Sequence, residues 1–173
     1  MIFKYKKHFK PIFLLIIKSY INYITPRFFE LFIILYHNQI KQGIDINRIL
    51  DYVPIFLGYP DELMQVWTNL IHNAIQAMKG KGELIVSTKT IEKQGNKMVL
   101  VSIQDTGSGI PIKIQDRVFD AFFTTKPIGK GSGLGLDITR KIIDKHDGKI
   151  WFETEEGIGT TFFIEIPLLL ESI

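Results

Sequence analysis

The sequence predicts an α/β fold, a two-layer sandwich in which helices cover one face of a mixed, mostly antiparallel sheet. Three observations predict it. Residues 61–78 place apolar side chains at three- and four-residue steps, the mark of an amphipathic helix. Two pairs of strand-like segments are each joined by a short glycine-bearing turn. Helical and strand-like stretches are interspersed along the chain, and the layered sandwich is the economical way to bury both. The length of 173 residues suits one domain, and 46% hydrophobic with 23% charged residues excludes disorder, collagen and solenoid arrays.

Phe28 to Lys41 reads as a helix ended near Gly43, and Ile44 to Ile49 alternates like a half-buried strand. Turn residues mark Pro54 to Pro60, after which Asp61 is expected to cap a helix running to Met78. Its apolar face holds Leu63, Val66, Trp67, Leu70, Ile71, Ala74 and Met78, and Gly80 and Gly82 end it. Strands follow over Glu83 to Ile91 and Lys97 to Gln104, with Gln94-Gly95-Asn96 as the turn between them. Asp105 to Ser132 is punctuated by glycine and proline, with one short helical piece near Lys113 to Phe119. Leu134 to His146 is an amphipathic helix with Leu134, Ile138 and Ile142 on one face. Two strands, Lys149 to Thr154 and Thr160 to Ile166, close the chain.

Charge divides the chain in two. Residues 1–27 hold six basic side chains (Lys4, Lys6, Lys7, Lys10, Lys18, Arg27) and no acidic one. Removing these six from the total of 21 leaves 15 basic against 18 acidic, so the domain, residues 28–173, carries −3 and no nucleic-acid footprint. Within 1–27, the run Ile12 to Ile17 is far shorter than the about 20 residues that span a bilayer, and no small-residue cleavage site marks a signal peptide. A weak membrane-interface anchor and a helix left from an upstream domain both remain open for it. The absence of cysteine excludes disulfides, thiolate metal sites and cysteine nucleophiles. The expected location is cytoplasmic, close to a membrane if residues 1–27 bind one.

Four clusters could carry chemistry. Asn69 and Asn73, four residues apart, stack on one side of the first long helix. Two asparagines there are either solvated or aim amide oxygens at a hard cation such as magnesium. Asp105-Thr-Gly107-Ser-Gly109-Ile110-Pro111 follows a buried strand, as a plain turn or as a place where a ligand approaches the backbone. Gly129-Lys-Gly131-Ser132-Gly133-Leu134-Gly135-Leu136 sets alternate glycines ahead of a helix, as a hinge or an anion cradle. It matches neither the dinucleotide fingerprint nor the Walker loop, since Lys130 is followed by Gly131. Gly157-Ile-Gly159-Thr160-Thr161-Phe162 reads alone as a hairpin turn.

In this order the four clusters resemble the N, G1, G2 and G3 boxes of the gyrase, heat-shock chaperone, histidine kinase and mismatch-repair ATPase superfamily, with its Bergerat-type ATP-binding fold. Within it the chain most resembles the catalytic ATP-binding domain of sensor histidine kinases. Asn69-Leu-Ile-His-Asn73-Ala-Ile-Gln-Ala-Met78 is similar to the kinase N box, and Phe119-Asp-Ala-Phe122-Phe123-Thr-Thr-Lys126 to the F box, which gyrase-type members lack. The resemblance runs from about Leu31 to Pro167.

The resemblance implies ATP and Mg2+ as ligands. Asn73 would ligate the magnesium that bridges the phosphates, with Asn69 beside it and Lys126 on a phosphate. Asp105 would accept the adenine amino group, helped through water by Thr160, while Gly107 and Gly109 let the base lie against the backbone. Phe119 to Ser132 would form a mobile lid, and Gly131, Gly133 and Gly135 would wrap the phosphates. Ile110, Phe122, Thr125, Ser132 and Leu134, in these same segments, complete the implied ATP-binding set. His72 is expected at the helix surface with no part in the chemistry.

Departures from the family pattern narrow the activity. Hydrolytic members are similar but carry a glutamate four residues before the metal-binding asparagine, where this chain has Asn69, and an amide takes no proton at neutral pH. Poor hydrolysis and a kinase-type activity follow. A complete histidine kinase also carries a helical hairpin with its phosphoacceptor in a His-acid-x-x-x-Pro context. Here His37 is followed by Asn38 and Gln39, His8 has Phe9 beside it with Pro11 too close, and residues 1–27 are too few for such a hairpin. The sequence thus reads as a catalytic domain, from a truncated or split gene, that phosphorylates a histidine on another domain or chain and feeds a response regulator. Two alternatives share the fold: a nucleotide-dependent regulatory module, and a serine kinase of the anti-sigma-factor type.

Overall fold

The computed structural model describes residues 43–51, 53, 58–127 and 131–168. Residues 1–27, the expected helix over Phe28 to Lys41 and residues 54–57 of the expected loop lie outside them. The strands are β1 (Ile44–Leu50), β2 (Gly82–Lys93), β3 (Asn96–Asp105), β4 (Lys149–Glu155) and β5 (Gly159–Pro167). They form one five-stranded sheet in the order β1-β2-β3-β5-β4. β1 pairs parallel with β2, and the other three pairings are antiparallel. This is the mixed, mostly antiparallel sheet expected. A parallel neighbour needs a crossover, and helix α1 (Pro60–Met78) supplies it between β1 and β2. The other described helices are the short α2 (Ile112–Gln115) and α3 (Gly135–Lys145).

Alternation decides which sheet face is covered. Leu84 and Val86 of β2, Val99, Val101 and Ile103 of β3, and Phe162, Ile164 and Ile166 of β5 are all buried on one face, under α1 and α3. From α1 this core receives Leu63, Val66, Leu70, Ile71, Ala74, Ile75 and Met78. Each larger side chain among them contributes about 1.5–3 kcal/mol by leaving water. Trp67, expected in this face, packs at its margin. Among the described residues no helix is long and apolar enough to cross a membrane.

One expectation is corrected and one extended. Asp61 does not cap α1, which begins at Pro60 behind Tyr59 with no side-chain cap. Proline suits a first helical turn because its missing N–H would have no partner there. The Tyr59 N–H instead donates to Nε2 of His146 at 2.9 Å, so a residue at the end of α3 closes the start of α1. The expected face of α3 is extended: Ile142 lies in the core and Ile138 packs against it. Its buried side chains are Asp137, Thr139, Ile142 and Ile143, whereas Leu134 and Ile138 are only partly covered. Thr139 can be buried because its hydroxyl donates to the Gly135 carbonyl at 2.8 Å, and Asn69 of α1 lies 3.4 Å from the same oxygen.

Candidate functional site

The inner rows of three strands end in polar residues at one end of the sheet. After Ile103 the next inner position of β3 is Asp105, before Phe162 of β5 it is Thr160, and after Phe152 of β4 it is Thr154. The register pairs Thr160 with Asp105 on one side and with Thr154 on the other. Three polar groups therefore lie side by side where the apolar core stops.

Asp105 is 5% exposed. One carboxylate oxygen accepts the Gly107 N–H at 2.8 Å. Burial pushes its pKa up to about 6, against the downward pull of the Gly107 and Thr160 backbone N–H groups. At neutral pH it is chiefly an acceptor-only carboxylate. Thr154 Oγ1 accepts the Ile110 N–H at 2.9 Å and lies 3.0 Å from both the Gly159 carbonyl and Thr160 Oγ1.

The glycines of the loop after β3 are required by packing. A Cβ on Gly107 would come within 2.7 Å of Ala77 on α1 and of the Asp105 carboxylate. Gly109, with φ +66°, would drive a Cβ into the Glu155 carbonyl. The Gly157 N–H donates to the Ser108 carbonyl at 2.8 Å, and Ser108 N–H to the Ala77 carbonyl at 3.3 Å, so the loop is tied to both hairpin and helix. A cavity of about 280 Å³ lies beside Asp105, Thr154 and Thr160, with Gln104, Glu153 and Glu155 also on its wall.

The second group of residues lies along α1. Lys126 Nζ donates to Oδ1 of Asn73 at 3.1 Å. Burial lowers the Lys126 pKa, and burial followed by the Lys126 charge lowers that of His72. His72, expected at the surface without chemistry, is half-buried beside this cation and within 2.6 Å of Gln76 Nε2. Asn69 Nδ2 donates to the Gly135 carbonyl at 3.1 Å and lies 3.4 Å from Thr139 Oγ1, which ties α1 to the start of α3.

The glycine-rich segments are folded onto one another. A Cβ on Gly133 would strike the Phe122 backbone, and one on Gly131 would meet Lys126 and Thr124 at 2.8 Å. Phe119 packs against Phe152 and Phe162, anchoring one end of the expected lid in the core. Phe122 itself is 75% exposed with φ +65°. Thr125 and Ser132 are exposed, and Leu134 is half-buried.

The structure thus joins Asp105, Gly107, Ile110 and Thr160 at one end, Asn73 with Lys126, and Asn69 with Gly135. Sequence reasoning missed Thr154, Thr139 and His146. The one available signal for Thr154 was a threonine at an inner strand position after Ile150 and Phe152.

Residues 58–170 match the family model described as the histidine kinase-, DNA gyrase B-, and HSP90-like ATPase. The chain is 38% identical to sporulation kinase E of Bacillus subtilis over 120 residues, covering 69% of this chain and 16% of that protein. It is 37% identical to the sensor kinase CckA of Brucella abortus over 144 residues, covering 77% of this chain and 15% of that protein. The chain therefore spans about a sixth of the length of these curated relatives. Among solved structures, the nucleotide-free catalytic domain of the histidine kinase ThkA superposes with a TM-score of 0.69 at 34% identity, covering 83% of this chain and 92% of that one. Full-length ShkA in complex with AMPPNP gives 0.68 at 26% identity, covering 82% of this chain and 29% of that one.

Proposed function

We propose that this chain, which belongs to the histidine kinase-, DNA gyrase B- and HSP90-like ATPase family, binds ATP as the catalytic domain of a two-component sensor histidine kinase and passes the γ-phosphoryl group to a histidine on another domain or chain. The observation that carries this reading is a buried acceptor-only carboxylate, Asp105, on the same helix-covered side of the sheet as Asn73, whose amide oxygen already receives a cationic group.

In this reading the Asp105 oxygen not held by Gly107 accepts the adenine amino group, with Thr160 assisting through water. Asn73 offers a hard oxygen donor that suits magnesium, and the Lys126 ammonium 3.1 Å away supports the reading in that this oxygen is free to face a cation. When bound, the metal supplies charge neutralisation at the transferring phosphoryl group. Lys126 turns from Asn73 to a phosphate oxygen as nucleotide enters. Gly131, Ser132, Gly133, Leu134 and Gly135 present backbone to the phosphates, with Phe122 and Thr125 in the overlying segment. Positioning and neutralisation are most of what phosphoryl transfer asks of a protein. Asn69 provides no base for water, so transfer to a histidine is favoured over hydrolysis.

In this reading the acceptor lies on another domain or another chain, because His8, His37, His72 and His146 all lack the acid-then-proline context. His146 is further committed, with Nε2 on the Tyr59 N–H and Nδ1 2.7 Å from the Ile142 carbonyl. A response regulator is the downstream partner, and the cytoplasm the working compartment. The test is incubation with γ-labelled ATP, alone and with the histidine-bearing hairpin of a similar sensor kinase. Acid-labile label on the hairpin and none on the chain is expected. Acid-stable label on an added protein substrate would favour the serine-kinase alternative, and stoichiometric acid-labile label on the chain alone would place the phosphoacceptor within it.

A further inference from the structure

We infer that Thr154 is a positioning residue that sets the base selectivity of the site by holding the proton of the Thr160 hydroxyl. The inference rests on the reading of Asp105 and Thr160 as the base-recognising end.

A threonine hydroxyl gives one hydrogen bond and accepts two. Thr154 Oγ1 has three neighbours at bonding distance: the Ile110 N–H at 2.9 Å, the Gly159 carbonyl at 3.0 Å and Thr160 Oγ1 at 3.0 Å. The N–H can only donate and the carbonyl can only accept, so these two fix their own roles. The Thr154 proton goes to Gly159, and one of its lone pairs takes Ile110. Its remaining lone pair is then satisfied only if Thr160 donates to it.

The consequence falls on Thr160. With its proton committed to Thr154, its hydroxyl presents lone pairs alone to a ligand or to a bridging water. Its register partner Asp105 is likewise an acceptor. A water bridging Asp105 and Thr160 gives one proton to each, so the carboxylate and this water both meet the base as acceptors and match the two N–H bonds of the 6-amino group of adenine. A 6-oxo purine brings an acceptor to the same place, where it meets the carboxylate and finds no donor. An unpaired buried polar group costs roughly 5- to 150-fold in affinity, enough to discriminate. Thr154 never touches the base, and acts through the direction of one proton.

The test is calorimetric titration of ATP and of ITP, its 6-oxo counterpart, into the wild-type chain and its Thr154 variants, with thermal unfolding measured in parallel. Wild type is expected to prefer ATP, and Thr154→Ser, which keeps the hydroxyl, to retain that ratio. Thr154→Val frees the Thr160 proton, and the ATP-over-ITP ratio should shrink about fivefold, the worth of one ordinary hydrogen bond. Thr154→Cys, with a weaker donor of similar volume, should fall between them and serves if the valine variant does not fold. Equal weakening of both nucleotides in Thr154→Val and Thr154→Cys, with the ratio intact, would reduce Thr154 to a structural strut and overturn the inference. An unchanged preference in Asp105→Asn, or no nucleotide binding by wild type, would instead remove the base-site reading and Thr154's role with it.

Discussion

Asp105 carries its charge at a cost to the fold. Its pKa of about 6 against an ordinary 3.8 means that the folded chain holds a proton that the unfolded chain has already released. Stability therefore falls as pH rises between these values and levels off above about 6, a loss of about 3 kcal/mol in total. Asp105→Asn should lack this part of the slope and be at least as stable as wild type at pH 7, as thermal unfolding from pH 4 to 7 would show. Ligand binding should run the other way. Adenosine, which has no phosphates to titrate, should bind wild type more tightly as pH rises from 5 to 7, and Asp105→Asn with little pH dependence. Parallel slopes in the two proteins would remove Asp105 from the base site. At the other end of the site, Asn73→Ala should abolish the magnesium dependence of ATP binding, read by titration with and without chelator. An equal enhancement by magnesium in both proteins would take the metal away from Asn73. These residues were legible in the sequence because each sits in a dense local motif. Thr154 and His146 were not, since their bonds reach residues 44 and 87 positions away in the chain.

Elements respond differently to changes that look alike in sequence. Gly133 and Gly135 both belong to the glycine-rich run, but only Gly133 has a positive φ, +69°, and a backbone neighbour where a Cβ would go. Gly133→Ala should destabilise by about 1–2 kcal/mol or more from the left-handed conformation alone. Gly135 opens α3, and its nearest neighbour to a new Cβ is Asn69 at 3.6 Å, ordinary contact. Gly135→Ala should leave stability unchanged or raise it by about 0.4–1 kcal/mol, by restricting the unfolded chain. Denaturant melts of the two variants would check this, and equal losses would contradict it. Asn69→Ala should cost about 1 kcal/mol through its lost bond to the Gly135 carbonyl. Alternation located all five strands within two residues, because one sheet face is buried and the pattern has to obey the pleat. The face of α3 was read only in part, because apolar periodicity cannot register Thr139, a polar residue that satisfies its hydroxyl within its own helix.

At the scale of the whole molecule, the pairing of β5 with both β3 and β4 brings residues distant in sequence to one end of the fold. Asp105 and Thr160 are 55 positions apart yet adjacent in the register. The fold class and the site's motifs were readable from local patterns, whereas the strand order β1-β2-β3-β5-β4 was not, since it depends on pairings between distant strands. The central claim is that this assembled end recognises ATP through a buried carboxylate. Its most direct test is calorimetric titration of ATP with magnesium into the wild-type chain and Asp105→Asn at pH 7. Saturable one-site binding by wild type, weakened by about 1.5–3 kcal/mol or roughly 10- to 150-fold in the variant, is the expected result. Equal dissociation constants for the two proteins, or no binding by wild type, would contradict it.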